Sequence, residues 1–77
     1  MNKYQRLISL AEEKNVTSTH ETQKELNILL SELDKNIIAK EHYHLLDDLI
    51  CVLYNTNNVF EECNDKINEL QLFLRSA

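Results

Sequence analysis

The chain contains neither glycine nor proline among its 77 residues. Two-residue hairpins and most other tight turns depend on these residues, because glycine reaches positive φ angles and proline fixes φ in advance. A sheet of several strands would need many such turns. The sequence therefore predicts an all-α fold.

The charge of the chain restricts its partners. Thirteen acidic residues against eight lysines and arginines give a formal net charge of −5. A surface of that sign repels phosphate backbones and anionic lipid, so we expect neither nucleic acid nor a membrane surface as a partner. No apolar run reaches the length of a membrane span, and the amino terminus lacks the long apolar core of a secretory signal. We expect a cytoplasmic protein.

The length of the chain predicts one domain, spanning residues 1–77, with limited stability of its own. A domain of this size hides little apolar surface, and small domains usually need a disulfide, a metal or a second chain. Cys51 and Cys63 do not form a disulfide framework. We therefore expect contact with another helical protein, or self-association.

The first half of the chain predicts two amphipathic helices, over about 3–14 and about 19–39. The polar run 15–19 reads as their connection, and Ser18 with Glu21 has the spacing of a capping box. The first helix carries an apolar face, and the second a stripe with a 4-3-4 spacing formed by Leu26, Leu30, Leu33 and Ile37.

The second half predicts one long helix over about 41–75, with the heptad spacing of a coiled coil. Its a and d positions are Leu46, Leu49, Leu53, Thr56, Phe60, Cys63, Ile67, Leu70 and Leu74. The favoured fold is a helical hairpin or a three-helix bundle. The alternative is four short helices, because Asn55 to Asn58 are four poor helix formers in a row.

Potential metal ligands occur at His42, His44 and Cys51, since imidazole and thiolate are common zinc ligands. Residues two apart on a helix point to different sides, and Cys51 and Cys63 are twelve residues apart, which is too far for the usual pairs. Cys51 falls on the solvent side of the heptad register. We expect no metal, no cofactor and two reduced structural thiols.

The pattern predicts a protein that is not an enzyme and binds no small-molecule substrate. Catalysis needs convergent polar groups in a pocket, and the mostly apolar inner positions of a small helical domain leave little room for one. The leucine-rich ridge of the last helix, by contrast, is wider than we expect so small a molecule to shield. Tyr54 and Leu72 also fall on its outer face. The predicted partner-binding residues are Leu49, Ile50, Leu53, Tyr54, Phe60 and Leu72.

The stretches ELNILLSELDKNI, IAKEHYH and LLDDLICVLYNTNNVF together resemble the helical hairpin of the small co-chaperones of type III secretion needle subunits. In that bacterial family, a leucine-bearing helix, a short turn with a nearby tyrosine and a second helix clamp a larger helical-repeat chaperone, and the pair keeps the needle protein monomeric. The likeness covers about half of the chain. It implies a co-chaperone whose clamp consists of Leu26, Leu30, Leu33 and Ile37 on one side and Leu46, Leu49, Ile50 and Leu53 on the other.

Two alternatives remain open. The chain is similar in helix number and solubility to the four-helix immunity proteins that protect bacteria from their own pediocin-like bacteriocins. The segment from Ser31 to Asp34 resembles part of the serine-glutamine-glutamate-leucine-aspartate motif of small aspartyl-phosphate phosphatases. A co-chaperone should depend on a partner for stability, whereas an immunity protein should be a self-sufficient monomer.

Overall fold

The computed structural model describes residues 2–13 and 19–77, and within these ranges it contains helices and no strand. The all-α prediction is therefore confirmed. Three single 3-10 turns connect or precede the helices, at Lys35–Ile37, Lys40–His42 and Glu61–Cys63. The helices are α1 (Lys3–Glu13), α2 (His20–Glu32), α3 (Tyr43–Asn55) and α4 (Asn64–Ser76). In the described part of the chain, none is long and apolar enough to cross a membrane.

The first two helices form an antiparallel hairpin. Lys3 at the start of α1 lies beside Glu32 at the end of α2, with Nζ and Oε2 3.0 Å apart. Arg6 donates from Nε and Nη2 to the two carboxylate oxygens of Glu25, at 3.1 Å each. These hydrogen bonds and the guanidinium charge lower the pKa of Glu25, although its own partial burial opposes them. The pair fixes how far α1 slides along α2.

The beginning of α2 agrees with the prediction, but its end does not. The Thr19 hydroxyl caps the helix by accepting from the Thr22 N–H at 3.1 Å. Residues 15–18 of the predicted connection, including the Ser18 cap, lie outside the described residues. We predicted a helix to about residue 39, and this was wrong, because α2 ends at Glu32. The Asp34 side chain accepts from the Asn36 N–H at 2.9 Å, and such a local bond competes with the helix ladder.

This early end changes which isoleucine is buried. The 4-3-4 spacing places Ile37 on the inner face, and that prediction was wrong. Ile37 is 54% exposed, while Ile38 is only 6% exposed and belongs to the core. The chain passes through the 3-10 turn before Ile38, so the direction of successive side chains no longer follows the α-helical period.

The single long helix over 41–75 is also wrong, and the four-helix alternative is the one that the structure shows. Asn57 adopts a positive φ of 57°. The Asn58 N–H donates to the Leu53 carbonyl at 2.8 Å, and the Asn57 N–H donates to the Tyr54 carbonyl at 3.2 Å. This is the Schellman arrangement, in which a left-handed residue ends a helix while its last carbonyls stay bonded.

After this break, α4 returns antiparallel along α3. The Tyr54 hydroxyl near the end of α3 contacts Asn64 at the start of α4. Arg75 near the end of α4 donates to Asp47 near the start of α3, at 3.0 Å. The two segments therefore form a second helical hairpin rather than one coiled-coil strand.

The heptad pattern nevertheless predicted most of the buried positions in the range 41–75. Among its nine a and d residues, Thr56 is exposed and Phe60 is half-buried. The others belong to one core that joins all four helices, whose buried members are Leu7, Ile8, Leu10, Ala11, Leu26, Leu30, Ile38, Leu46, Leu49, Ile50, Leu53, Cys63, Ile67, Leu70 and Leu74. The break leaves the apolar stripes intact because each helix keeps its own three- and four-residue spacing.

The leucine-rich ridge is covered within the chain. We expected it to need an external partner, but folding α4 onto α3 and adding α1 and α2 buries most of it. The accessible surface is 5065 Å², close to the roughly 4900 Å² that a folded monomer of this length exposes. Shielding of the ridge does not require a second molecule.

Asn27 is the buried polar residue at the junction of these segments, with 0% exposure. Its Nδ2 donates to the Gln23 carbonyl and to the Asn58 carbonyl, both at 2.8 Å. Its Oδ1 accepts from the Phe60 N–H at 2.7 Å. The side chain thus ties α2 to the connection between α3 and α4.

We predict that Asn27→Ala lowers the free energy of unfolding by about 3 kcal/mol, because the Asn58 carbonyl and the Phe60 N–H lose their partner where water has little access. Urea denaturation followed by far-ultraviolet circular dichroism measures this loss. The control is Asn68→Ala at an exposed position of α4, which should change stability by less than about 0.5 kcal/mol. Equal midpoints for the two variants would contradict the role given to Asn27.

Candidate protein-binding surface

A groove between α1 and the end of α2 is lined mainly by apolar side chains. Its volume is about 170 Å³, and an apolar cavity of roughly 150 Å³ accommodates a benzene-sized group. The groove therefore has room for one bulky side chain. Its apolar lining consists of Tyr4, Leu7, Leu29, Leu33 and Ile37.

The rim of this groove carries three charged residues, Lys3, Glu32 and Asp34. Lys3 and Glu32 pair with each other, but their side chains are 79% and 50% exposed, so water screens the pair and it adds little stability. Asp34 uses Oδ1 for the bond to the Asn36 N–H. It has no ion-pair partner among residues 2–13 and 19–77. The rim thus carries a net negative charge, which comes from the unpaired carboxylate of Asp34.

Ile37 distinguishes this groove from the rest of the surface. Four large apolar side chains are strongly exposed in the described part of the chain, namely Ile28, Ile37, Val52 and Leu72. Of these, Ile37 lines the groove. Single exposed apolar residues are common on protein surfaces, whereas an exposed residue that continues an apolar groove points to a contact surface.

Three of the predicted partner-binding residues lie in the core. Leu49 is 4% exposed, and Ile50 and Leu53 are fully buried. They face inward because α3 packs against both α4 and α1. In this fold a partner has no access to them.

Tyr54 and Phe60 are half-buried at the core margin. The Tyr54 hydroxyl donates to Asn64 Oδ1 at 3.0 Å, so α4 covers a residue that the heptad register places on the outer face. Burial, with a smaller contribution from the charge of Asp65, raises the pKa of Tyr54. The Phe60 ring stacks on His20, with centroids 5.8 Å apart. Both rings have partners within the chain.

Leu72 lies where the sequence predicts, on the outer face of α4, and is 62% exposed. Asn68 and Ser76, one turn to either side of it, are polar and exposed. Leu72 is thus open to a partner, with polar neighbours along its helix.

A polar cluster joins α3 and α4 on their outer side. Arg75 donates from Nε to Asp47 Oδ1 at 3.0 Å and from Nη2 to Cys51 Sγ at 3.1 Å. Gln71 Nε2 donates to the same two acceptors, at 3.2 and 3.4 Å. The hydrogen bond that Arg75 donates to Asp47, followed by the one that it donates to Cys51, raises the pKa of Arg75. Cys51, predicted on the solvent side, is half-buried because α4 folds back over it.

The histidines near α3 have separate surroundings. His42 Nδ1 is hydrogen-bonded to the Tyr4 hydroxyl, which also accepts from the Ala39 N–H at 3.2 Å. His44 Nε2 lies 3.6 Å from Asp48 Oδ2. Within the described ranges, no group of three or more histidine, cysteine or carboxylate side chains is placed to hold a metal ion.

Leu33 and Ile37 were expected in the clamp that the resemblance implies, on an inner face, whereas Tyr4, Leu7 and Leu29 were not predicted to contact a partner. Leu33 and Ile37 belonged to the stripe of a longer α2, and Tyr4 to the inner face of α1. The structure leaves them partly uncovered, since α2 ends before Leu33. The local signal for this end was Asp34 two residues before Asn36, the spacing of an Asx turn.

We predict that stability falls more steeply above about pH 10 in the wild type than in Tyr54→Phe. The raised pKa of Tyr54 means that the unfolded chain loses the phenol proton first. The contribution of Tyr54 to the free energy of unfolding is therefore complete at pH values below its pKa in the unfolded chain. It is lost as the pH rises through its higher pKa in the folded chain. Phenolate absorbance is measured against pH for the wild type and for Tyr54→Phe, each folded and in denaturant. Subtracting the curve of the variant from that of the wild type gives the titration of Tyr54. Identical folded and denatured titrations would contradict the covering of Tyr54 by α4.

The chain was compared with known proteins by sequence and by structure. No family model, no curated protein and no solved structure matches it.

Proposed function

We propose that this chain is a non-enzymatic protein-binding module that receives a partner's apolar side chain in the groove between α1 and α2. The observation that carries this proposal is the exposure of Ile37, at 54%, on the edge of an apolar groove. A partner that covers this edge gains roughly 25 cal/mol for each Å² of apolar surface removed from water.

The form of the groove supports a protein partner. Protein interfaces obtain much of their affinity from a few bulky anchors in desolvated pockets, and the surrounding polar contacts contribute less. The groove supplies an apolar pocket with a polar rim. The helix-in-groove mode of recognition uses this combination.

The specific role that we propose within this class is that of a bacterial co-chaperone or adaptor for the chaperone complex of type III secretion needle subunits. The resemblance of the segment 25–60 to that family supports it. Most of the expected clamp lies in the core, but its members Leu33 and Ile37 line the groove. The contact proposed here therefore uses this end of the clamp instead of the inner faces of α2 and α3.

We predict that Ile37→Asp removes partner binding, because a carboxylate at the edge of the groove stays hydrated and prevents an apolar anchor from being covered. Quantitative mass spectrometry after affinity purification from the native source measures this. A specific partner should be lost with Ile37→Asp and retained with the matched variant Leu72→Asp, which places the same charge at an exposed leucine of α4. Circular dichroism checks that both variants keep their helices.

The reverse result would identify a different surface. If Leu72→Asp loses the partner and Ile37→Asp keeps it, the outer face of α4 is the contact surface and the groove is not. A helical-repeat chaperone larger than this chain among the Ile37-dependent proteins would support the type III secretion role, and its absence would contradict that role.

A second candidate is a bacteriocin immunity protein of the four-helix type. Two structural observations favour it, namely the four helices and a core that is closed without a second chain.

We predict for this candidate that the purified chain is a monomer, because its ridge is already covered. Expression in a bacterium sensitive to a pediocin-like bacteriocin should also raise the bacteriocin concentration needed to stop growth by more than about tenfold. Ultracentrifugation and growth inhibition measure the two properties. Unchanged sensitivity to every bacteriocin of that class would contradict the immunity role.

A further inference from the structure

We infer that the partner of this groove presents a lysine or arginine beside its apolar anchor, and that Asp34 receives this cation. The inference rests on the proposed function and adds the chemistry of the partner. Three properties of the groove support it, namely its size, the charge of its rim and the pairing of Lys35 nearby.

The size of the groove limits the apolar part of the partner to one side chain. A volume of about 170 Å³ compares with the roughly 150 Å³ that accommodates a benzene-sized group. One leucine, isoleucine, methionine or phenylalanine fills it. Affinity must then depend on what lies next to this anchor, because burial of a single side chain contributes too little for a stable complex.

The rim supplies the second contact. Asp34 lines the groove, is exposed and carries a charge that no cation of the described residues neutralises. Only its Oδ1 is used, by the Asn36 N–H, so a carboxylate oxygen remains for another donor. Lysine and arginine are the donors that gain most from an unpaired carboxylate. The net charge of −5 of the whole chain also attracts a basic partner.

A second copy of this chain is a poorer occupant than a basic partner. It would offer Ile37 as the anchor, and the basic residues within four positions of Ile37 are Lys35 and Lys40. Lys35 is already engaged, since its Nζ lies 3.5 Å from Glu69 Oε1 and 5.7 Å from the centre of the Phe73 ring. Self-association would bring the Asp34 carboxylates of both copies to one interface, with Lys40 as the one cation near Ile37 that has no ion-pair partner in the described residues. The negative net charge opposes it further.

Selection from a displayed library of random twelve-residue peptides tests the inference. The library is selected on the wild-type chain and counter-selected on Ile37→Asp, so that only peptides bound at the groove remain. We expect these peptides to share one bulky apolar residue with lysine or arginine enriched within four positions of it.

The affinity of the selected peptides for Asp34→Asn then tests the contact itself. Asparagine keeps the oxygen that accepts from the Asn36 N–H, so the turn is preserved while the charge is removed. We expect affinity to fall by about three- to fivefold, the effect typical of an exposed ion pair, and added salt to weaken wild-type binding more than that of Asp34→Asn. Asp48→Asn is the control, because it removes the same charge from α3 outside the groove.

Each outcome has one meaning. If no peptide depends on Ile37, the groove does not bind partners, and both the proposed function and this inference fail. If Ile37-dependent peptides lack basic enrichment, or bind Asp34→Asn as tightly as the wild type, the groove still binds partners. The inference that the partner carries a basic residue is then wrong. Enrichment together with a loss confined to Asp34→Asn supports the inference.

Discussion

The buried amide of Asn27 holds the two halves of this fold together. It satisfies the Asn58 carbonyl and the Phe60 N–H, two backbone groups that lie between α3 and α4. A helix that continued through this stretch would use both groups in its own ladder, so Asn27 would lose these two partners in a buried place. The helix break and the buried asparagine therefore require each other. Because the break turns α4 back along α3, closure of the core depends on the same side chain.

The interior of the second hairpin could be predicted from the sequence. The four poor helix formers from Asn55 to Asn58 indicated a possible break, but the pattern did not decide between one long helix and two. Leu46 and Leu53 before the break, and Ile67 and Leu70 after it, are buried as their heptad positions predict. Periodicity reports which side of a helix is apolar, and it does so equally for one helix or two. Whether 55–60 is helical depends on Asn27, thirty-one residues before Asn58. No pattern within a heptad contains that long-range contact.

The candidate groove could not be predicted from the sequence, for a related reason. The pattern assigned Ile37 to an inner face, and it would lie there if α2 reached residue 39. The Asp34 side chain provides a local alternative to the helix, and the following 3-10 turn directs Ile38 inward and Ile37 outward. The stop was readable from Asp34 and Asn36 as an Asx turn. The groove was not, because Tyr4 and Leu7 reach it from α1 across the first hairpin.

Asp34 therefore has two consequences for the surface. Its Oδ1 stabilises the turn that leaves Ile37 at the edge of the groove, and its charge remains on the rim beside the same residue. The opposite wall is α1, whose register against α2 is set by the bidentate pair of Arg6 with Glu25. The groove consequently forms where two separate constraints meet, an early helix end and a fixed helix register. The core is closed without this edge, so the exposure of Ile37 is not needed for folding and is free to serve recognition.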